Sequence, residues 1–205
     1  MPDSAPNGKE WFAFFYATLH EHGLLRRVLD IGPGRGAYAD LLRGPFPDVH
    51  WTGVEVWGPY VERFGLEAKY DRVVVADARY VDYGLLGPFD LAVAGDVLEH
   101  MTKEEALALA GRILGHSGLL AVSLPIRHYP QEAVHGNAFE AHVKDDWSHA
   151  EALESFGGLV AAFYADGEIG VYVLARDRHL SRVASLAAAR ARERFLESAA
   201  ATAAR

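Results

Sequence analysis

The segment RVLDIGPGRGAYADLL, Arg27 to Leu42, constrains the fold more than any other stretch of the chain. Val28, Leu29 and Ile31 form a short apolar run of the kind buried in a parallel sheet. Gly32, Gly34 and Gly36 follow at once, and Ala37 to Leu42 resumes helical spacing. Strand, glycine turn and helix in that order bring bare backbone and the unpaired N–H groups of a helix N-terminus to one point, where a ligand's polar atoms can approach. Asp30, at the strand's end, suits a cationic or ammonium-bearing ligand better than a pyrophosphate. A glycine turn alone does not select a ligand class, so the later strands carry the decision.

The segment His50 to Val56 reads as a second strand and carries Glu55 at its carboxyl end, the edge where open parallel sheets bind ligands. Glu55 follows the glycines by about 20 residues, the distance at which an acid meets ribose hydroxyls. Arg72 to Ala76 is a third strand, followed by Asp77 and Ala78; a polar side chain there can take the exocyclic amine of a purine or merely cap the next turn. Phe89 to Ala94 is a fourth strand ending in Gly95, Asp96, Val97, Leu98, Glu99 and His100. Thr102 and Glu105 form a capping box for a helix reaching about Gly115, and Gly118 to Leu124 is a fifth strand. Ser148 and Glu151 make a second capping box, for a helix ending near Phe156. The strands Leu159 to Ala165 and Ile169 to Ala175 are joined through Asp166-Gly167 as a hairpin. Ahead of the first strand, Met1 to Asn7 reads as loose, and residues 8–22 place Trp11, Phe12, Phe15, Tyr16 and Leu19 on one helical face. That face either packs on the edge of the domain or forms a flap over the glycine turn. Alternating strands and helices closed by a hairpin predict an α/β fold with a mostly parallel sheet and one antiparallel edge.

With 205 residues and half of them hydrophobic, one domain can bury a substantial core. Twenty-eight acidic against twenty basic side chains give a formal charge of −8, which argues against nucleic acid and anionic membrane as partners. The chain has no cysteine, so disulfides, thiolate metal sites and cysteine nucleophiles are excluded. No apolar run approaches the roughly 18 residues of a membrane span, and the N-terminus lacks a signal-peptide pattern, so a cytoplasmic protein is expected.

Together these motifs resemble the class I S-adenosylmethionine-dependent methyltransferases. The resemblance runs from about Val28 to Arg176, and its residues are Val28 to Gly36, Glu55, Asp77-Ala78 and Asp96 to His100. It implies a Rossmann-like, seven-stranded, mostly parallel sheet with an antiparallel C-terminal hairpin and helices on both faces. It implies S-adenosyl-L-methionine as cofactor, with Gly32, Gly34 and Gly36 admitting its methionine portion and ribose and Asp30 favouring its positive charge. Glu55 would hold the ribose hydroxyls, Asp77 and Ala78 the adenine, and Asp96 and Val97 the other side of the cofactor. The terminal hairpin separates this family from NAD-dependent dehydrogenases. A noncatalytic protein binding the cofactor or its product on the same fold is the principal alternative.

Methyl transfer from a sulfonium needs an aligned nucleophile and, for a hydroxyl or ammonium, removal of a proton. The place to look is the insertion at residues 125–147, too long for a passive connection and suited to a substrate lid. It holds His128, His135 and His142, each a candidate base because imidazole titrates near neutral pH. With His149 they recur every seven residues, but Pro130 and Gly136-Asn137 interrupt any single helix that would align them. They match no familiar ligand spacing with Asp145 or Asp146, and no metal site is expected. His100 reads as a packing or capping residue ahead of a catalytic one, and Tyr129, Phe139 and Trp147 either wall a substrate pocket or pack the insertion.

Asp96-Val97-Leu98 stands where methyltransferases acting on base or amide nitrogen in this family carry an Asn/Asp-Pro-Pro-aromatic turn. Ser123-Leu124-Pro125 stands where the metal-dependent catechol type carries further ligands. What remains is oxygen or nitrogen of a small metabolite, such as one of secondary metabolism, or of a peptide side chain. Residues 1–176 read as a single methyltransferase domain and 177–205 as a helical extension. Its stripe of Leu180, Val183, Ala187, Ala191 and Phe195 packs on the domain or on a second subunit, which would make a homodimer.

Overall fold

A computed structural model describes residues 6–134 and 136–203. The expected loose segment Met1 to Asn7 falls largely outside the described residues, as does His135. The elements are α1 (Lys9–Glu21), β1 (Arg27–Ile31), α2 (Ala37–Leu42), β2 (His50–Glu55), α3 (Gly58–Arg63), α4 (Leu66–Lys69) and β3 (Arg72–Val75). They continue with β4 (Phe89–Gly95), α5 (Lys103–Leu114), β5 (Ser117–Pro125), α6 (His149–Phe156), β6 (Val160–Ala165), β7 (Ile169–Ala175) and α7 (Arg178–Ala203). The sheet has seven strands in the order β3-β2-β1-β4-β5-β7-β6. β7 runs antiparallel to both its neighbours and every other pairing is parallel.

This is the Rossmann-like α/β sheet the motifs predict. Strand order reverses at β1, which has β2 on one side and β4 on the other; at such a switch point the loops diverge and open a crevice at the carboxyl edge. Alternation within each strand feeds two cores. On β4, Leu91 and Val93 face the layer that contains α1, α2 and α7, whereas Ala92 and Ala94 face the layer of α5 and α6. In β1, Leu29 and Ile31 join the second layer with Val28 in the first.

The aromatic face of α1 packs rather than flaps: Trp11, Phe12, Phe15 and Tyr16 are buried, with Trp11 stacked on Phe15 and Phe12 edge-on to Tyr38. α7 lies along α1, β6 and β7, and its buried face consists of Ala184, Ala187 and Ala191. Arg194 reaches Glu21 at 2.8 Å and Ser198 reaches Glu10 at 2.7 Å, fixing the pairing of the two helices. The capping box of α5 forms as expected, with Glu105 N–H donating to Thr102 Oγ1 and Thr102 N–H donating to Glu105 Oε2. At α6 only half of the expected box forms: Ser148 Oγ accepts from Glu151 N–H, but the Glu151 carboxylate is drawn to Lys103 and Lys144. Two short helices, α3 and α4, fill the β2–β3 connection, which carries no clear period in the sequence. Among the described residues no helix is long and apolar enough to cross a membrane.

Candidate active site

The glycine turn after β1 is built by backbone geometry. Gly32 sits at φ +62°, donates its N–H to the Val54 carbonyl at 2.9 Å, and leaves no room for a Cβ, which would lie 2.7 Å from Val97 Cγ2. A side chain here would be both strained and blocked, so only glycine fits. Gly34, at φ +53°, turns its N–H to Glu55 Oε2 at 3.1 Å, while Trp57 N–H donates to Glu55 Oε1 at 2.8 Å. Glu55 is buried at the end of β2. Desolvation raises its pKa against the opposing pull of these backbone donors.

Asp77, after β3, is held by Arg79, whose Nη2 donates to Oδ2 at 2.7 Å. The guanidinium keeps the carboxyl below the usual carboxylate range. Arg79 also reaches Glu105 at 2.7 Å and so ties this corner to the start of α5. After β4, Asp96 adopts φ +55° and is the only described non-glycine residue in the left-handed region; its Oδ1 accepts from Ser123 Oγ at 3.0 Å. Strain of this kind gathers at functional sites, and here it turns the chain so that Val97 meets the glycine turn and Glu99 and His100 face the crevice.

Glu99 is 1% exposed, and its Oε2 has no hydrogen-bond partner. Desolvation, followed by the charge of Asp96, raises its pKa well above the ordinary carboxylate value. Its carbonyl accepts from Val143 and Lys144 N–H at 2.9 and 3.0 Å, which docks the end of the insertion on the β4 turn. His142 is thereby brought against His100, with ring centroids 4.9 Å apart. Each ring is oriented through one nitrogen: His100 Nδ1 lies 3.1 Å from the Ala141 carbonyl and His142 Nδ1 lies 2.6 Å from the Tyr129 carbonyl. Desolvation lowers the pKa of both, which favours the neutral imidazole.

One cavity of about 480 Å³ opens at this edge of the sheet, within the range of small-molecule sites. Its walls bring together Gly32, Gly34, Glu55, Asp77, Ala78, Asp96, Val97 and His142. Asp30, Gly36 and His128 stand apart from it. Asp30 is buried beneath the turn, where Tyr70 donates to its Oδ2 at 2.6 Å, and desolvation raises its pKa to about 7. Gly36 forms the N-cap of α2 against Lys69. His128 is exposed, 3.8 Å from Asp145. His149 turns away to the Tyr172 hydroxyl at 2.8 Å.

The cavity also has walls the sequence does not single out, Asn7 ahead of α1, Tyr38, Tyr60, Glu99 and Asn137; Tyr129, Phe139 and His100 line it too, whereas Trp147 is buried in the second core. Glu99 and His100 stand in the quoted motif after β4, but their partnership with His142 depends on how the insertion folds back. Tyr60 and Asn137 had no signal beyond their neighbourhoods.

Residues 29–122 match the family model of a methyltransferase domain. No curated protein matches the sequence. Among solved structures, a S-adenosylmethionine-dependent methyltransferase from Clostridium acetobutylicum is similar at a TM-score of 0.61 and 12% identity, covering 82% of this chain and 92% of that one. The magnesium protoporphyrin IX methyltransferase of Synechocystis PCC 6803, with bound S-adenosylmethionine, is similar at 0.57 and 15% over 85% and 86%. An O-methyltransferase from neocarzinostatin biosynthesis, in complex with S-adenosyl-L-homocysteine and 1,4-dihydroxy-2-naphthoic acid, is similar at 0.55 and 21%. That match covers 74% of this chain and 49% of the other.

Proposed function

We propose that this chain, whose residues 29–122 match the model of a methyltransferase domain, transfers a methyl group from S-adenosylmethionine to a hydroxyl oxygen of a small molecule. One observation carries the proposal: a single cavity joins the glycine turn, Glu55 and Asp77 on one side to the cluster of buried Glu99 and half-buried His100 and His142 on the other.

The residues on the first side fit the cofactor. Gly32 and Gly34 present bare backbone where a Cβ at Gly32 would strike Val97, so a ligand can lie across the turn. Glu55 offers a carboxylate for the two ribose hydroxyls, and Asp77 with Ala78 edges the place for adenine. The acids Glu55, Asp77 and Asp96 suit a cationic ligand and would repel a phosphate. When bound, the cofactor supplies a methyl carbon made electrophilic by its sulfonium.

The acceptor lies toward the insertion. Tyr129, Phe139 and Met101 give that end apolar walls, and His100, His142 and Glu99 give it a polar floor. The chain's task there is to hold a hydroxyl in line, exclude water and let its proton leave through the cluster. Of the two described histidines singled out in the insertion, His128 and His142, His142 is the one at the cavity wall. A hydroxylated aromatic acceptor agrees with these walls and with the naphthoic acid bound by the neocarzinostatin enzyme.

Calorimetric titration with S-adenosylhomocysteine, with NAD as control, tests the cofactor reading. Saturable binding is expected for the wild type, weakened at least about tenfold in Glu55→Ala, because hydrogen bonds to a charged acceptor contribute about 1.5–3 kcal/mol each and 1.4 kcal/mol is tenfold. Binding of NAD in preference, or no binding, overturns it.

A further inference from the structure

We propose that Glu99, His100 and His142 form a binding site for one divalent transition-metal ion, which presents its open coordination positions to the acceptor. One donor atom from each residue lies within 4.8 Å of the other two. Nitrogen and oxygen ligands bind zinc-like cations at about 2.0–2.2 Å, which sets neighbouring donors roughly 3.4 Å apart; closure by about an ångström of side-chain movement brings these three to one ion.

Three separate features of the cluster point to a cation. Glu99 is buried on the cavity wall with Oε2 lacking any hydrogen-bond partner, an acceptor oxygen that nothing in the fold satisfies. Both imidazoles engage a backbone carbonyl through Nδ1, His100 with Ala141 and His142 with Tyr129. Donation of the Nδ1 proton to those carbonyls leaves each Nε2 with a lone pair, the arrangement found behind metal-ligating histidines. The carbonyl of Glu99 accepts from Val143 and Lys144 N–H, so the backbone itself fixes His142 in register with the other two.

Two imidazoles and one carboxylate, in a chain without cysteine, select a first-row divalent ion such as Zn²⁺, Co²⁺, Fe²⁺ or Mn²⁺ over Ca²⁺ or Mg²⁺. Three protein ligands leave positions free on the cavity side. An acceptor bearing two adjacent oxygen donors, an ortho-diol or a hydroxy acid, would chelate there, and a bound hydroxyl is acidified by the cation. This deepens the O-methylation reading and rests on it. The hydroxyl proton passes to solvent, the oxygen forms the bond to the methyl carbon, and the carbon–sulfur bonding pair stays on sulfur, which leaves neutral.

The test is titration of the chelator-stripped full chain with Co²⁺, read by its visible absorption and by calorimetry, alongside S-adenosylhomocysteine titration of the same samples. One equivalent is expected for the wild type. Affinity should fall at least about tenfold in Glu99→Gln and in His142→Ala, because even outer partners of metal ligands contribute 10–100-fold. The surface variant His179→Ala should bind as the wild type does. Retained S-adenosylhomocysteine binding in the variants shows that they fold. Absence of stoichiometric Co²⁺ binding in a wild type that binds S-adenosylhomocysteine overturns the metal site alone, as does Co²⁺ binding unchanged in the His100→Ala/His142→Ala double variant. Co²⁺ binding that needs the three residues in a chain that fails to bind S-adenosylhomocysteine upholds the site and overturns the cofactor reading.

Discussion

Asp30 shows how one side chain can be chemically conspicuous and still serve the scaffold. It stands two residues before Gly32, yet β1 alternation points it under the sheet to Tyr70 rather than into the cavity. Its folded-state pKa of about 7 exceeds that of the unfolded chain, so between about pH 4 and 7 the native state holds a proton that the unfolded state has released. Stability therefore falls as pH rises through that window, by at most about 4 kcal/mol at 1.36 kcal/mol per unit. Chemical denaturation of wild type and Asp30→Asn from pH 4 to 8 should show the wild type losing stability relative to the variant. Parallel profiles would show that Asp30 does not titrate in this way. The sequence identifies Asp30 as an acid beside the turn; which face it takes depends on the strand's register against β2 and β4. Glu55, by contrast, could be placed in advance, because the end of a parallel strand is itself the ligand edge.

Among the elements, α7 illustrates a contact set by small side chains. Ala184, Ala187 and Ala191 are buried against the layer of α1, with Leu180, Val183 and Phe195 packed beside them. Ala184→Leu should lower stability by about 1–3 kcal/mol, the range for overpacking. Leu186→Ala, on the outer face at 75% exposure, should change it by under about 0.5 kcal/mol. Thermal or urea denaturation of both variants checks this, and equal effects would contradict the packing described. The stripe was legible because alanine and leucine recur at helical spacing, but whether the domain or a second subunit receives it is not written in a period. The insertion was the least legible element. Its structure comes from single backbone bonds, such as those from Val143 and Lys144 to Glu99, and these leave no pattern in composition.

For the whole molecule, the sheet was readable since each strand is a short apolar run bounded by turn residues, and the terminal Asp166-Gly167 hairpin specifies the antiparallel edge. Strand order then does the rest: reversal at β1 gathers Gly32, Glu55 and Asp96 from three separate strand ends into one crevice. Only the half of the site that the insertion completes required the structure. The most direct measurement is a crystal structure of the full chain with S-adenosylhomocysteine. The expected result has the ribose hydroxyls on the Glu55 carboxylate, the chain of the ligand across Gly32 and Gly34, and the sulfur facing His100 and His142. Ligand bound elsewhere, or lying in the cavity with Glu55 untouched, would contradict it.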